Sequence, residues 1–358
     1  MPLPRHILVI RLSAPGDVAM TIPVLHSLRA AYPDLRITVL TQERLAPLFA
    51  GLDATLLAAD TKGRHKGWKG LLLLVREVTA FLRQSGGRTV VADLHGVLRA
   101  AVLCSLLRLQ GYPVAVIQKG RNGKRLLTRR AGKQLKPLPT SFDRYRDVLA
   151  RLGFSFPYRF NGLFTEPPAL PEAAAALAAG RRQPWIGLAP FAAFREKMYP
   201  LEQMEQVVAR LQEKYTVFLF GSPAEAPLLA SWQQRYPGCV SVAGTLHLEE
   251  ELQLMAHLAV MVSMDSANMH FASLVRVPVV SVWGPTHPFA GFMGWQQEAA
   301  LAVQTDLPCR PCSVFGNQPC YLGTHACMRE LSPERIVERV SFVLGEQSFT
   351  TPSAATLT

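Results

Sequence analysis

Through both halves of the chain, short apolar, β-rich runs alternate with longer stretches of helical periodicity. That alternation restricts the fold to α/β, with parallel sheets covered by helices. In the first half the pattern predicts strands at Ile7–Leu12, Arg36–Thr41, Thr89–Leu94 and Pro113–Gln118, with helices at Val18–Tyr32, Trp68–Gln84 and Gly96–Arg108. In the second half it predicts strands at Trp185–Ala189, Thr216–Phe220, Val240–Ala243, Val260–Met264 and Pro278–Trp283. The helices there are expected at Leu201–Lys214, Glu225–Tyr236, Glu249–His257 and Ser266–Leu274. A chain of 358 residues exceeds one ordinary core. The expected organisation is an N-terminal domain over 1–156, a linker over 157–171 carrying four prolines, and a C-terminal domain over 172–330. A last segment, 331–358, opens with Ser332 as N-cap and Pro333 at the first helical position, giving a helix and then a frayed tail.

No stretch approaches the ~18 apolar residues of a membrane helix. The opening MPLPRHILVIRL is interrupted by Arg11 and runs into a turn, so it reads as a strand and not a signal peptide, and the expected compartment is the cytoplasm. The net charge of +12 is concentrated in one place: between Asp60 and Lys136 there are 17 Lys and Arg against three acids, +14, leaving −2 elsewhere. Eight of those basic residues lie between Lys119 and Lys136 without one acid. Such a one-sided field implies an anionic partner: nucleic acid, a phospholipid surface or a phosphorylated substrate.

The first strand ends in Ser13-Ala14-Pro15-Gly16-Asp17, at the sheet edge where open parallel sheets bind ligands. Gly16 allows a close backbone approach, but a single glycine does not make the dinucleotide fingerprint. Asp17 has two readings, a helix N-cap or a carboxylate able to take a proton from a hydroxyl nucleophile. The second half repeats the arrangement at Asp265-Ser266-Ala267-Asn268-Met269-His270, where small residues open a helix suited to a diphosphate. Ser266 is a hydroxyl donor or a simple cap, and His270 a site residue or a core histidine. Trp283-Gly284-Pro285-Thr286 forms a further edge turn. The loop after Trp185–Pro190 carries Arg195 and Lys197, and a Lys or Arg there sits at the same ligand edge, where it could neutralise a departing phosphate.

With IRLSAPGDVAMTIPVLHSLRAAYPDLRITVLT, VADLHGVLRAAVL, REKMYPLEQMEQVV, VFLFGS, VSMDSANMHFASLVRVPVVSVWGPTHP and LSPERIVERV in this order and spacing, the chain resembles glycosyltransferase family 9, which includes the ADP-heptose:lipopolysaccharide heptosyltransferases. The resemblance runs from about Ile7 to about Leu344. It implies a GT-B fold: two facing Rossmann-like domains with a cleft between them, the acceptor on the N-terminal side and the nucleotide sugar mainly on the C-terminal one. It implies inverting transfer without a bound metal or other cofactor, of a heptose from ADP-heptose, to a lipopolysaccharide inner-core or similar lipid-linked saccharide. It places the general base at Asp17 and the donor at Lys197, Asp265, Ser266, Met269 and His270, with Gly16 at the edge turn. It places the anionic acceptor at Arg64, Lys66 and Arg121, and the enzyme on the inner face of the inner membrane. Four positions depart from the family pattern: Ala192 and Ala193 stand where relatives often carry Ser or Thr, Ala267 where many carry Gly, and His287 where Asp often follows Gly-Pro-Thr.

Cys309, Cys312, Cys320 and Cys327 have spacings that could hold zinc, reduced thiols being the main alternative. A transferase acting on another nucleotide sugar or surface glycan fits the same motifs. A nucleic-acid binder fits the charge alone, and the Lys119–Lys136 arm carries no aromatic residue to stack bases.

Overall fold

The computed structural model describes residues 3–346, which divide into two units. Unit 1 runs to Pro167 and takes in Leu274–Arg276 and Phe289–Trp295; unit 2 holds Pro168–Ser273, Val277–Pro288 and the chain from Gln296. The expected 172–330 domain is therefore interrupted twice, and the 157–171 segment is shared between the units. Trp295 accounts for the second interruption. Its ring packs edge-on against Phe142 and Tyr158, with centroids 5.0 Å away in each case, and its N–H donates to the Phe160 carbonyl at 3.3 Å. At the first, the Leu163 N–H donates to the Leu274 carbonyl at 2.8 Å. The expected tail beyond residue 346 lies outside the described residues.

Unit 1 contains β1 (His6–Ile10), β2 (Arg36–Thr41), β3 (Thr55–Ala58), β4 (Thr89–Asp93) and β5 (Val114–Val116), all parallel, in the order β3-β2-β1-β4-β5. β1 and β4 are buried along their whole length, as strands covered on both faces must be. The helices are α1 (Pro15–Ala19), α2 (Ile22–Ala31), α3 (Gly67–Gln84), α4 (Leu98–Leu109), α5 (Arg121–Leu127) and α6 (Ser141–Ala150). The single helix expected over Val18–Tyr32 is broken at Met20–Thr21. Pro23 has no N–H for the Ala19 carbonyl and its ring crowds that oxygen, so one helix ends at Ala19 and another starts at Ile22. Neither β3 nor α5 is legible in the sequence. β3 is a four-residue edge strand, and α5 starts from Gly120, whose φ of +61° suits glycine.

Unit 2 contains α7 (Glu172–Ala178), β6 (Trp185–Ala189), α8 (Leu201–Leu211), β7 (Thr216–Leu219), α9 (Ala226–Arg235), β8 (Cys239–Ser241), α10 (Leu248–Met255), β9 (Val260–Met264), α11 (Ala267–Leu274), β10 (Val279–Trp283), β11 (Ala302–Gln304), α12 (Ala326–Arg329) and α13 (Pro333–Val343). Its parallel sheet runs β11-β10-β9-β6-β7-β8. The C-terminal helix, expected to stand apart, belongs to this unit: Ile336 and Val340 of α13 join the core formed by Val260, Val262, Val280 and Val282.

Both sheets are doubly wound. In each, the first strand lies between the second and the fourth, so successive connections leave in opposite directions and open a crevice at the strands' carboxyl ends. The crevice falls between β1 and β4 in unit 1 and between β6 and β9 in unit 2.

Candidate active site

At the carboxyl end of β1 the chain delivers Arg11, 7% exposed, and six residues later Asp17. The Arg11 Nη2 lies 2.5 Å from the Asp17 Oδ2, and Arg11 Nη1 donates to the Leu94 carbonyl at 2.6 Å. The guanidinium also lies over the Tyr145 ring, and the Tyr145 hydroxyl donates to the Asp17 carbonyl at 3.3 Å. Asp17 is not the cap of its helix: Ala14 takes that place, and Asp17, three residues in, accepts from the Ala14 N–H at 3.4 Å. Its side chain is 34% exposed. A carboxylate fixed by a buried cation yet open to solvent is oriented and reachable. Gly16 lies within α1, one residue before Asp17, with no left-handed backbone to require a glycine.

β4, the neighbouring strand, ends in Asp93, fully buried, whose Oδ1 accepts from the His95 and Gly96 N–H groups at 2.8 Å each. Burial raises the Asp93 carboxyl above the ordinary carboxylate value. Burial, reinforced by the Arg11 guanidinium, pushes His95 down to about 4, so the ring beside Asp17 is a neutral imidazole at neutral pH. β5 leads to Lys119, whose pKa is also lowered by burial. Sequence reading singled out none of Arg11, Asp93, His95 and Lys119. The available signal was a charged residue closing an otherwise apolar strand, together with the polar turn in VADLHG.

Of the expected acceptor residues, Arg64 and Lys66 lie on an exposed loop before α3, and Arg121 is the exposed first residue of α5. Arg64 is ion-paired to Glu77 of α3. The loop is firmly built. Asp60 accepts from the Gly63 and Arg64 N–H groups at 2.8 and 2.9 Å. Buried His65 accepts the Asp60 N–H through Nδ1 at 3.1 Å, which leaves its Nε2–H to donate to Glu77 at 3.1 Å. The Lys119–Lys136 segment is not a uniformly displayed face: Lys124 is 8% exposed, its ammonium 4.3 Å from the centre of the Phe292 ring. Burial, with Arg144 adding to it, lowers its pKa to about 8.

In unit 2, Lys197 follows β6 and Asp265 follows β9, and the crevice brings them together: Nζ lies 2.9 Å from Oδ2, both side chains being largely buried. The Ser266 and Ser263 hydroxyls lie 3.2 Å apart. Met269 and His270 are buried in α11, 1% and 6% exposed. A residue missed in the sequence organises the surrounding loops. Arg310, 5% exposed, donates to the carbonyls of Trp283, Gly284, Thr286 and Thr305 and to the Gln304 side chain. It ties the cysteine-rich loop to the turn after β10. That loop then crosses the Lys197 stem at Gly316, where a Cβ would stand 2.1 Å from the Lys197 Cγ.

Zinc at Cys309, Cys312, Cys320 and Cys327 is not matched by this arrangement. Among the described residues no three His, Cys, Asp or Glu side chains gather as a metal-binding group. The Arg310 guanidinium already supplies a cation beside Cys309, Cys312 and Cys327, and burial pushes the Cys327 thiol up to about 12.

Comparison with known proteins bears on the family and the fold. The family model for glycosyltransferase family 9 (heptosyltransferase) matches residues 78–319. Lipooligosaccharide heptosyltransferase 2 of Campylobacter jejuni is 27% identical over 165 residues, 44% of this chain and 50% of that protein. The match therefore spans only half of that relative's length. Lipooligosaccharide heptosyltransferase 2 of Haemophilus influenzae is 27% identical over 304 residues, covering 79% of this chain and 84% of that one. The crystal structure of a family 9 glycosyl transferase from Veillonella parvula superposes with a TM-score of 0.73 at 21% identity, covering 97% and 99% of the two chains, which shows that the fold is shared. Two doubly wound parallel sheets of GT-B type, with charged pairs at both switch points and the family model matched across most of the length, lead to one conclusion: the chain belongs to glycosyltransferase family 9.

Proposed function

We propose that the protein transfers a heptose from ADP-heptose to a hydroxyl of an anionic, lipid-linked saccharide of the lipopolysaccharide inner core, with inversion at the anomeric carbon. The observation that carries this reading is Asp17: a carboxylate at the ligand edge of β1, held by a buried arginine and still open to solvent. The acceptor hydroxyl gives its proton to the Asp17 carboxylate while its oxygen attacks the anomeric carbon. The bond from that carbon to the diphosphate oxygen breaks, and ADP leaves with the bonding pair. Lys197 neutralises the charge on the departing diphosphate, its pairing with Asp265 keeping the ammonium in place beforehand. Asp265 and Ser266 serve the donor's hydroxyls and phosphates. His95, neutral beside Asp17, adds no positive charge to compete for the base.

No described helix is long and apolar enough to cross a membrane. The exposed basic residues of Lys62–Lys69 support an enzyme held peripherally on the inner face of the inner membrane. Arg64, Lys66 and Arg121 meet the acceptor's anionic groups.

The test is turnover with ADP-heptose and a delipidated acceptor. General-base catalysis is typically worth ~10²–10⁴ in rate, so Asp17→Asn should lower kcat by that factor, with ADP affinity unchanged and wild-type activity insensitive to EDTA. An Asn variant of ordinary turnover reduces Asp17 to a structural acceptor for Arg11 and the Ala14 N–H. Activity with a UDP- or GDP-sugar in place of ADP-heptose would replace the donor.

A further inference from the structure

The first turns of α3 present an unusual surface. One side of the helix is core: Leu71, Leu74, Val75, Val78 and Leu82 are buried. The other side starts with Trp68, 64% exposed, followed by Leu72 and Leu73 at 44% and 36%. Trp68 and Leu72 are four residues apart, as are Lys69 and Leu73, so the four side chains form adjacent rows on one helix face. Leu98, 82% exposed, opens α4, and the next residue, Arg99, donates to the His65 carbonyl, which places that helix start against the basic loop. Around this apolar lip stand exposed Lys62, Arg64, Lys66, Lys69 and Arg76. The nearby carboxylates are already engaged, Asp60 with the loop's own N–H groups and Glu77 with Arg64 and His65.

We infer that this lip inserts into the headgroup region of an anionic lipid bilayer, with Trp68, Leu72 and Leu73 entering and the basic residues remaining at the phosphates. Exposed tryptophan and leucine ringed by lysine is the composition of an interfacial helix, whereas lysine is depleted where proteins meet one another. The lysine stems can lie along the apolar surface while their ammonium groups reach the phosphates. The inference deepens the membrane association proposed above: docking is by insertion and not by charge alone. Rigid construction of the loop matters here, because residues already fixed lose little freedom on docking.

The experiment uses the full chain and tryptophan fluorescence. Trp185, Trp232, Trp283 and Trp295 are each no more than 8% exposed, so a change at the bilayer reports Trp68. With vesicles containing phosphatidylglycerol, emission should shift to the blue and brominated lipid should quench it, and Trp68→Phe should lose both signals while still sedimenting. Leu72→Glu with Leu73→Glu should lower the vesicle-bound fraction by about tenfold or more, since it places charge where apolar side chains enter. Pure phosphatidylcholine should bind the wild type more weakly. Sedimentation without bromolipid quenching overturns insertion and leaves charge alone; absence of sedimentation overturns lipid as the occupant. Self-association lost with Trp68→Glu, in place of vesicle binding, would make the lip a contact between copies. The Leu72/Leu73 variant should retain full activity on a delipidated acceptor. Loss of transfer by the wild type on that acceptor, with insertion intact, would count against the proposed reaction and not against this surface.

Discussion

Lys197 and Asp265 are mostly withdrawn from water, and a buried pair responds asymmetrically to mutation. Removing one partner leaves an uncompensated charge and typically costs about 3–5 kcal/mol, whereas replacing both by apolar groups of similar volume is often nearly neutral. Lys197→Met should therefore lower stability to urea more than the double variant Lys197→Met with Asp265→Leu, although all of these variants lose ADP binding in calorimetry. Equal, additive losses would show that the two side chains do not depend on each other. Arg11 and Asp17 follow another logic. The arginine is buried but the carboxylate reaches solvent, so the pair orients a reactive group more than it stabilises the fold. Neither pairing follows from residue spacing: Lys197 and Asp265 are separated by α8, β7, α9, β8, α10 and β9, and only the order of strands in the sheet returns them to one place.

Among the elements, α3 is the one whose sequence and surroundings are most tightly coupled. Gly70 is buried in its first turns, and a Cβ there would stand 2.3 Å from the backbone of His65. The glycine lets the basic loop lie directly on the helix, and without that approach His65 could not reach Glu77. Gly70→Ala should cost about 1–3 kcal/mol despite alanine's better helix propensity, as overpacking does. Hydrogen exchange should accelerate over residues 60–66, and a variant at least as stable as the wild type would show that the loop yields easily. The amphipathic period of α3 was readable from sequence; the loop's dependence on a glycine in the helix was not, because it is a contact between backbones. α5 and β3 escaped for a simpler reason, being too short to express a period.

At the scale of the molecule the two units should respond to acid with opposite sign. In unit 1, burial pushes His6, His26 and His95 down to about 4, and His65 is lowered as well. His6 lies between Thr38 and Thr89 on the neighbouring strands, at 2.8 and 3.1 Å. These folded-state values lie below the ordinary 6.5, so the stability they carry is complete above that pH and is lost as pH falls towards 4. Asp93 moves the other way, one carboxyl against several imidazoles. In unit 2, burial raises Glu251 from 4.5 to about 7, a contribution complete at low pH and lost as pH rises through 7. Between pH 7 and 4.5, hydrogen exchange should show unit 1 losing protection first, and His6→Asn should flatten its decline; earlier loss in unit 2 would contradict this. The sequence by itself determined every strand of the two sheets except β3 and β11, because strand and helix periods are local, and it marked Asp17 and Asp265, because residues after a strand fall at its carboxyl edge whatever the packing, while the family resemblance marked Lys197. Only the tertiary structure decided what those residues face. The pairing of Arg11 with Asp17 and of Lys197 with Asp265, the burial of Lys124, Arg310 among the cysteines and the return of Trp295 to unit 1 all join residues that chain distance or direction hides, since strand order and side-chain burial are properties of the packed core and not of any one segment.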